Sequence, residues 1–206
     1  MFLFAFGQTD SEYPDRAIHI FGGLMRLFIA CEIPEKIKEN LEYFQGRLKN
    51  KEDKIKWVEK DNLHLTMKFI GESDENSVEK IKQSLSSVKF RALLISVSDF
   101  GVFPPNGHIR VIWMGLSPAN QINDLREKIE SALGFLGVGR EVHFQPHITL
   151  GRAKYIEDRE AFIKKVSEIK KGFESEPFKI DRFILKKSVL TPKVPVYTDL
   201  AEFGSE

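Results

Sequence analysis

The sequence contains a single cysteine among its 206 residues, which excludes a disulfide framework within the chain. Cys31 lies in the apolar run 27–31, so we expect a buried structural thiol and a cytoplasmic protein. The chain also lacks any apolar run near the roughly 20 residues of a membrane helix, so we expect no membrane partner. The net charge is only +1, so the overall field neither favours nor excludes nucleic acid, and any anion site has to be local.

Motifs of several common enzyme classes are missing as well. The chain has neither a Walker loop nor a Gly-x-Gly-x-x-Gly loop, the usual cradles for nucleotide phosphates. It has no Gly-x-Ser-x-Gly turn, so a serine nucleophile is not supported. A function has to be sought in a different arrangement of residues.

What the sequence does contain is one short pattern in two copies. His-x-Thr-x occurs at residues 64–67 and again at 147–150, 83 residues further on, each time in an apolar run of β-forming residues. Alternate side chains of a strand share a face, so His64 and Thr66 are predicted to point together, as are His147 and Thr149. Two copies in matching contexts indicate one site assembled from two halves.

The elements around the two motifs also repeat. Pro34 and Pro118 each precede a predicted helix and stand 84 residues apart, and Asp74 and Asp158, with the same offset, each open a further helix. This pattern predicts an internal duplication, with repeat units at about 25–107 and 108–206.

The β-α-β-α-β order of each unit predicts the fold class. We expect an α+β protein with two pseudo-symmetric lobes of antiparallel sheet, helices on the outer faces and an active-site groove between the lobes. Residues 50–56 are predicted to form a lysine-rich loop, and 178–188 a single strand. Residues 1–24 are predicted to be an N-terminal extension outside the fold, so that the bilobal domain covers 25–206.

Two histidines and two threonines in one groove suit acid–base chemistry on a phosphodiester. Imidazole titrates near neutral pH, so one ring can take a proton from a nucleophile while the other gives one to a leaving group. Threonine hydroxyls donate hydrogen bonds to an anion without adding charge. Neither motif has Asp, Glu or Cys at the spacing of metal ligands, so we expect no metal and no other cofactor.

The ordered set of motifs resembles the 2H phosphoesterase superfamily, and within it the RNA 2′,3′-cyclic phosphodiesterases, also called 2′-5′ RNA ligases. The resemblance runs from Met25 to about Ala201. It is carried by both His-x-Thr-x motifs and by segments at 26–30, 101–104, 110–113, 146–152, 188–192 and 195–197. One departure is Val194, where such tails often have glycine, but it does not touch the catalytic set.

The resemblance implies hydrolysis of 2′,3′-cyclic phosphate RNA ends to 2′-phosphates, and in similar proteins the reverse joining of tRNA halves through 2′-5′ linkages. It implies that His64 and His147 are the acid–base pair, without deciding which is the acid. It also implies that Thr66, Thr149 and Arg152 hold the phosphate. For Arg152, strand alternation is expected to support this role only if Gly151 does not bulge the strand.

Four further residues are candidates for RNA contacts. Phe103 lies in a Gly/Pro-rich loop where an aromatic ring can stack on a base, with packing onto the core as the competing interpretation. Lys68 has the same strand parity as His64 and Thr66. Arg110 and Tyr197 lie in segments that carry the resemblance.

Two other functions stay open on the sequence alone. The chain is either a non-catalytic module that binds RNA ends or nucleotides, or a phosphodiesterase acting on small cyclic nucleotides or 2′-5′ oligonucleotides. Intact His and Thr in both motifs argue against the first, and nothing in the sequence excludes the second. We expect a monomer.

Overall fold

The computed structural model describes residues 24–139, 144–171, 175–191 and 194–206. The predicted N-terminal extension at 1–24 lies outside these ranges, apart from its last residue.

The elements of the first half follow the predicted order, with one additional strand. They are β1 (Met25–Glu32), α1 (Glu35–Leu48), β2 (Lys54–Trp57), β3 (His64–Ser73), α2 (Glu75–Leu85) and β4 (Leu93–Phe103). The prediction of a loop at 50–56 is wrong at its end, because the alternating Lys-Ile-Lys-Trp of β2 pairs with a strand of the second half.

The second half repeats this order and then adds strands. Its elements are β5 (Val111–Ser117), α3 (Ala119–Ala132), β6 (His147–Tyr155), α4 (Arg159–Lys170), β7 (Phe178–Ile180), β8 (Arg182–Val189) and β9 (Val196–Gly204). The single strand predicted at 178–188 is in fact two, because the chain breaks at Asp181: β7 pairs with β4, whereas β8 pairs with β1.

The helix starts explain why the two halves correspond. Pro34 and Pro118 occupy the N-cap positions of α1 and α3. The Asp74 carboxylate accepts a hydrogen bond from the Ser77 amide at 2.7 Å, and Asp158 accepts one from the Ala161 amide at 2.9 Å. These caps satisfy amides that a helix leaves unpaired at its start, so each helix begins at the same point of its repeat.

The strands of both halves join into one curled antiparallel sheet. Their order in the described residues is β7-β4-β5-β6-β3-β1-β8-β9, with β2 beside β6. The two halves meet at the pair Leu65–Ile148, so the sequence of strands reads alike outward from this centre. Apolar faces of the helices pack on one side of the sheet in one continuous core, which also holds the fully buried Cys31. The predicted α+β class is confirmed.

Candidate active site

Both His-x-Thr-x motifs open strands at the centre of the sheet. Leu65 and Ile148 are antiparallel partners with no exposed surface, so they point into the core. Their strand neighbours His64, Thr66, His147 and Thr149 are all half-buried on the opposite, groove face. In such a pair, residue 64 lies across from 149 and residue 66 across from 147. The fold therefore brings the four predicted side chains together.

The two imidazoles are held by the same local hydrogen bond. His64 Nδ1 lies 2.7 Å from the Asn62 carbonyl oxygen, and His147 Nδ1 lies 2.7 Å from the Gln145 carbonyl oxygen. A carbonyl only accepts, so each Nδ1 carries a hydrogen and donates it. Nε2 is then the nitrogen of each ring that exchanges a proton with a bound molecule.

His64 is kept neutral in the free protein. Burial lowers the pKa of His64 to about 4, against the smaller opposing effects of the Asn62 carbonyl and the Glu32 carboxylate. A neutral ring with a hydrogen on Nδ1 has a free electron pair on Nε2. Thr66 Oγ1 lies 2.9 Å from that nitrogen and donates its hydroxyl hydrogen to it. His64 is thus poised to accept or relay a proton.

Aromatic rings wall in both histidines. The His64 ring centroid lies 5.2 Å from that of Phe28 and 5.5 Å from that of Tyr197. The His147 ring centroid lies 5.9 Å from that of Trp113 and 6.1 Å from that of Phe103. These walls come from β1 and β9 on one side and from β4 and β5 on the other, and they restrict the rotation of the imidazoles.

An ion network stands next to His64. Glu32, its cross-strand partner, accepts hydrogen bonds from Lys186 at 2.6 Å and from Lys38 at 3.1 Å. Lys186 also contacts Asp199 at 2.6 Å. The Glu32 charge is thereby compensated, so this carboxylate does not by itself hold a proton on His64.

A β-bulge follows each motif and changes which residues face the groove. The register of β1 with β3 skips Met67, and that of β5 with β6 skips Leu150. The extra residue leaves two successive side chains on the core face. The prediction that Lys68 shares a face with His64 and Thr66 is therefore wrong: Lys68 is only 6% exposed and its ammonium contacts Glu130 at 2.9 Å.

The same bulge places Arg152 on the groove face. Leu150 and Gly151 are buried, whereas Arg152 is exposed. Its charge opposes the rise in the pKa of Tyr197 that burial causes, so the guanidinium stands near that ring. The condition placed on Gly151 was wrong, since Arg152 stands three residues beyond Thr149 and only an irregularity of the strand restores it to the same face.

Buried polar side chains hold both bulges from behind. Gln45 of α1 is 2% exposed, and its amide donates to the carbonyl oxygens of Leu150 at 2.7 Å and Val58 at 3.0 Å. Arg126 of α3 donates to the Met67 carbonyl oxygen at 3.2 Å. Each helix thus supports the bulge that belongs to the other half of the chain.

A family model described as LigT-like phosphoesterase matches the chain twice, over residues 31–113 and 115–197. The chain belongs to the LigT-like phosphoesterase family. The two matches begin 84 residues apart, the offset between corresponding helices of the two halves.

Relatives of this LigT-like phosphoesterase cover most of its length. A Methanocaldococcus jannaschii protein named RNA 2′,3′-cyclic phosphodiesterase is 39% identical over 180 residues, 87% of this chain and 100% of its own. One of the same name from Archaeoglobus fulgidus is 35% identical over 182 residues, 87% of this chain and 99% of its own. The crystal structure of TT0787 from Thermus thermophilus superposes with a TM-score of 0.71 and 27% identity, covering 87% of this chain and 97% of that one.

The remaining candidates lie at different depths of the LigT-like groove. Tyr197 is half-buried beside His64, and the Pro195 carbonyl near it accepts a hydrogen bond from the Asn62 side chain at 3.1 Å. Phe103 stacks on Trp113, with ring centroids 5.0 Å apart, and so belongs to the His147 wall. Arg110 is exposed at the start of β5, and its carbonyl accepts from the Ala153 amide at 2.9 Å.

Sequence reasoning missed three aromatic residues and one glycine of this site. The sequence pattern marks Phe28 and Trp113 only as strand residues, and it does not single out Phe69 at all. Phe69 is 61% exposed and stands at the point of β3 that Arg152 occupies in β6, two residues past the bulge. Gly101 gives room to the Trp113 indole, since a Cβ there would lie 1.9 Å from Trp113 Cζ2. The Gly-x-Phe spacing was the available signal.

Neither of two other site types is present in the described ranges. They hold no group of three or more His, Cys, Asp or Glu side chains arranged to bind a metal ion. None of the helices in these ranges combines the length and hydropathy that spanning a bilayer requires.

Proposed function

We propose that this LigT-like phosphoesterase hydrolyses 2′,3′-cyclic phosphate ends of RNA to 2′-phosphates by a two-histidine acid–base mechanism. The observation that carries the proposal is the joint placement of His64, Thr66, His147 and Thr149 on one face, with each Nδ1 bonded to a backbone carbonyl. The relatives at 39% and 35% identity, both named RNA 2′,3′-cyclic phosphodiesterase, support the substrate.

The reaction needs two proton transfers. A water oxygen attacks phosphorus while a neutral imidazole takes a proton from that water, and the bond from phosphorus to O3′ breaks. The charged imidazole gives its Nε2 proton to O3′, which leaves a 3′-hydroxyl and a 2′-phosphate. Each such transfer contributes roughly 10²–10⁴-fold to the rate. A bound phosphodiester raises the pKa of both rings, so the protonated form of either becomes accessible in the complex.

The neighbouring donors hold the phosphate during this step. Thr66 and Thr149 hydroxyls donate to its non-bridging oxygens, and Arg152 supplies a planar fork of N–H groups and a positive charge. Phe69 and Tyr197 offer aromatic surfaces beside the same groove, on which a nucleobase would stack.

Product analysis tests the proposal. An RNA ending in a 2′,3′-cyclic phosphate is incubated with the protein in EDTA, and the end group is identified. We expect a 2′-phosphate and turnover unaffected by the chelator, because imidazoles perform both transfers. A 3′-phosphate product, loss of turnover with EDTA, or tight binding without turnover would contradict the proposal.

Finer parts of the proposal concern partners and setting. We propose that tRNA halves are among the RNA ends, joined in the reverse direction when a 5′-hydroxyl replaces water as the nucleophile. We also propose a cytoplasmic monomer. Ligation of tRNA half-molecules, cell fractionation and sedimentation would each test one of these statements.

A further inference from the structure

The exposed cations of β2 continue the active-site groove away from the histidines. Although β2 belongs to the first half of the chain, it pairs with β6, with Lys56 beside Arg152 and Lys54 beside Tyr155. All four of these side chains are exposed. We call them the β2–β6 track.

The packing of the neighbouring residues fixes the face on which the track lies. Ile55 and Trp57 pack against the core, and a Cβ on Gly151 would lie 3.0 Å from atoms of both. Alternation then turns Lys54 and Lys56 to the opposite face. This is the groove face, because Arg152, the partner of Lys56, acts electrostatically on Tyr197 beside His64.

The charge of the track is not compensated within the protein. Among residues in the described ranges, Lys54, Lys56 and Arg152 form no ion pair. The acidic side chains lie at its far end, where the Asp53 carboxylate accepts from the Glu157 amide and Glu157 accepts from the Tyr155 hydroxyl. A run of cations that ends on an exposed aromatic ring is a surface that suits single-stranded nucleic acid.

The opposite direction from the active site lacks these features. The corresponding part of β3 carries Phe69 in place of Arg152, and beyond it Glu72 contacts Arg26 of β1 at 3.7 Å. A polyanion leaving the groove therefore meets uncompensated positive charge only on the β2–β6 side among the described residues. From Thr149 to Tyr155 the track extends about 15–20 Å at roughly 3.3 Å per residue, enough for several nucleotides of an extended strand.

We infer that the β2–β6 track binds the backbone of the RNA strand immediately 5′ of the cyclic phosphate. The inference rests on the proposed function, since it takes the reacting phosphate to lie between His64 and His147. Lys54 and Lys56 contact upstream phosphates, and the Tyr155 ring faces a base. The protein then favours oligonucleotides over cyclic mononucleotides through binding, without any change in the chemical step.

The test compares two substrates and two double variants. One variant is Lys54→Gln with Lys56→Gln, and the matched control is Lys164→Gln with Lys165→Gln, which removes the same charge from exposed positions of α4. The substrates are an RNA of about ten nucleotides ending in a cyclic phosphate and a 2′,3′-cyclic mononucleotide. We expect the track variant to raise KM for the oligonucleotide roughly five- to tenfold and to lower its salt slope by about 1.4, or about 0.7 per lost contact. The kinetics with the mononucleotide, and those of the control variant, should stay as in the wild type.

Two results would overturn the inference. One is an unchanged oligonucleotide KM in the track variant, and the other is an equal rise in the control variant. If the wild type hydrolyses neither substrate, the proposed function fails instead, and direct binding of the same oligonucleotide, followed by fluorescence anisotropy, decides separately on the track. Equal affinity and equal salt slope of wild type and track variant in that measurement would reject it.

Discussion

Replacing Gln45 by leucine should separate the bulge in β6 from its support. The Gln45 amide is buried and donates to the carbonyl oxygens of Leu150 and Val58. Leu150 keeps a second donor, the Val58 amide at 2.9 Å, so its loss is partial. A net hydrogen bond is worth about 1 kcal/mol, and a buried acceptor left unsatisfied costs about 1–3 kcal/mol. We therefore expect Gln45→Leu to lower the free energy of unfolding by about 2–3 kcal/mol.

The same substitution should also affect activity, although Gln45 does not face the groove. The bulge at Leu150 sets the direction of Arg152, so a relaxed bulge weakens the hold on the phosphate and raises KM more than it lowers kcat. Urea unfolding and steady-state kinetics on a cyclic-phosphate substrate measure the two effects. Gln83→Leu, the same change at an exposed position of α2, is the control. An unfolding free energy within about 0.5 kcal/mol of wild type, a range typical of surface changes, would refute the reasoning.

Three further outcomes are expected. The lowered pKa of His64 means that the unfolded chain binds more protons between pH 6.5 and about 4, so stability should fall as pH falls through that window, by up to about 3 kcal/mol. His64→Gln should remove that part of the dependence in urea unfolding at about pH 7 and about pH 4.5, and an identical pH dependence in both proteins would count against the burial. Arg152→Ala should raise KM for a cyclic phosphate roughly 10- to 100-fold with a smaller effect on kcat, the loss of one charged hydrogen-bonding group, and unchanged kinetics would remove Arg152 from the site. Gly101→Ala should force the Trp113 indole away from its place by the His147 ring, and lowered turnover with altered tryptophan fluorescence would record this, whereas wild-type values of both would show that the wall is dispensable.

The local patterns of the chain predicted the fold and the core of the site. Apolar alternation placed both motifs on strands, and capping residues at equal offsets located the helices. Leu65 and Ile148 point into the core as the alternation indicated. These features depend on neighbours in sequence, which is why a single chain reveals them.

Features that depend on pairing between distant strands were predicted less well. Simple parity put Lys68 in the groove, but the bulge at Met67 turns it inward to Glu130. The bulge depends on the register with β1 and on a side chain from α3, neither of which shows in the motif. The short strand β2 has the composition of a loop for a similar reason, since only its pairing with β6, far along the chain, stabilises it as a strand.

The most direct test of the central claim is the turnover of single and double histidine variants on an RNA cyclic phosphate. If both imidazoles transfer protons at one phosphorus atom, His64→Ala and His147→Ala should each lower the rate by roughly 10²–10⁴-fold. The double variant should then be hardly slower than the worse single one, because residues that act as a unit do not contribute additively. Near-normal turnover in either single variant would contradict the account.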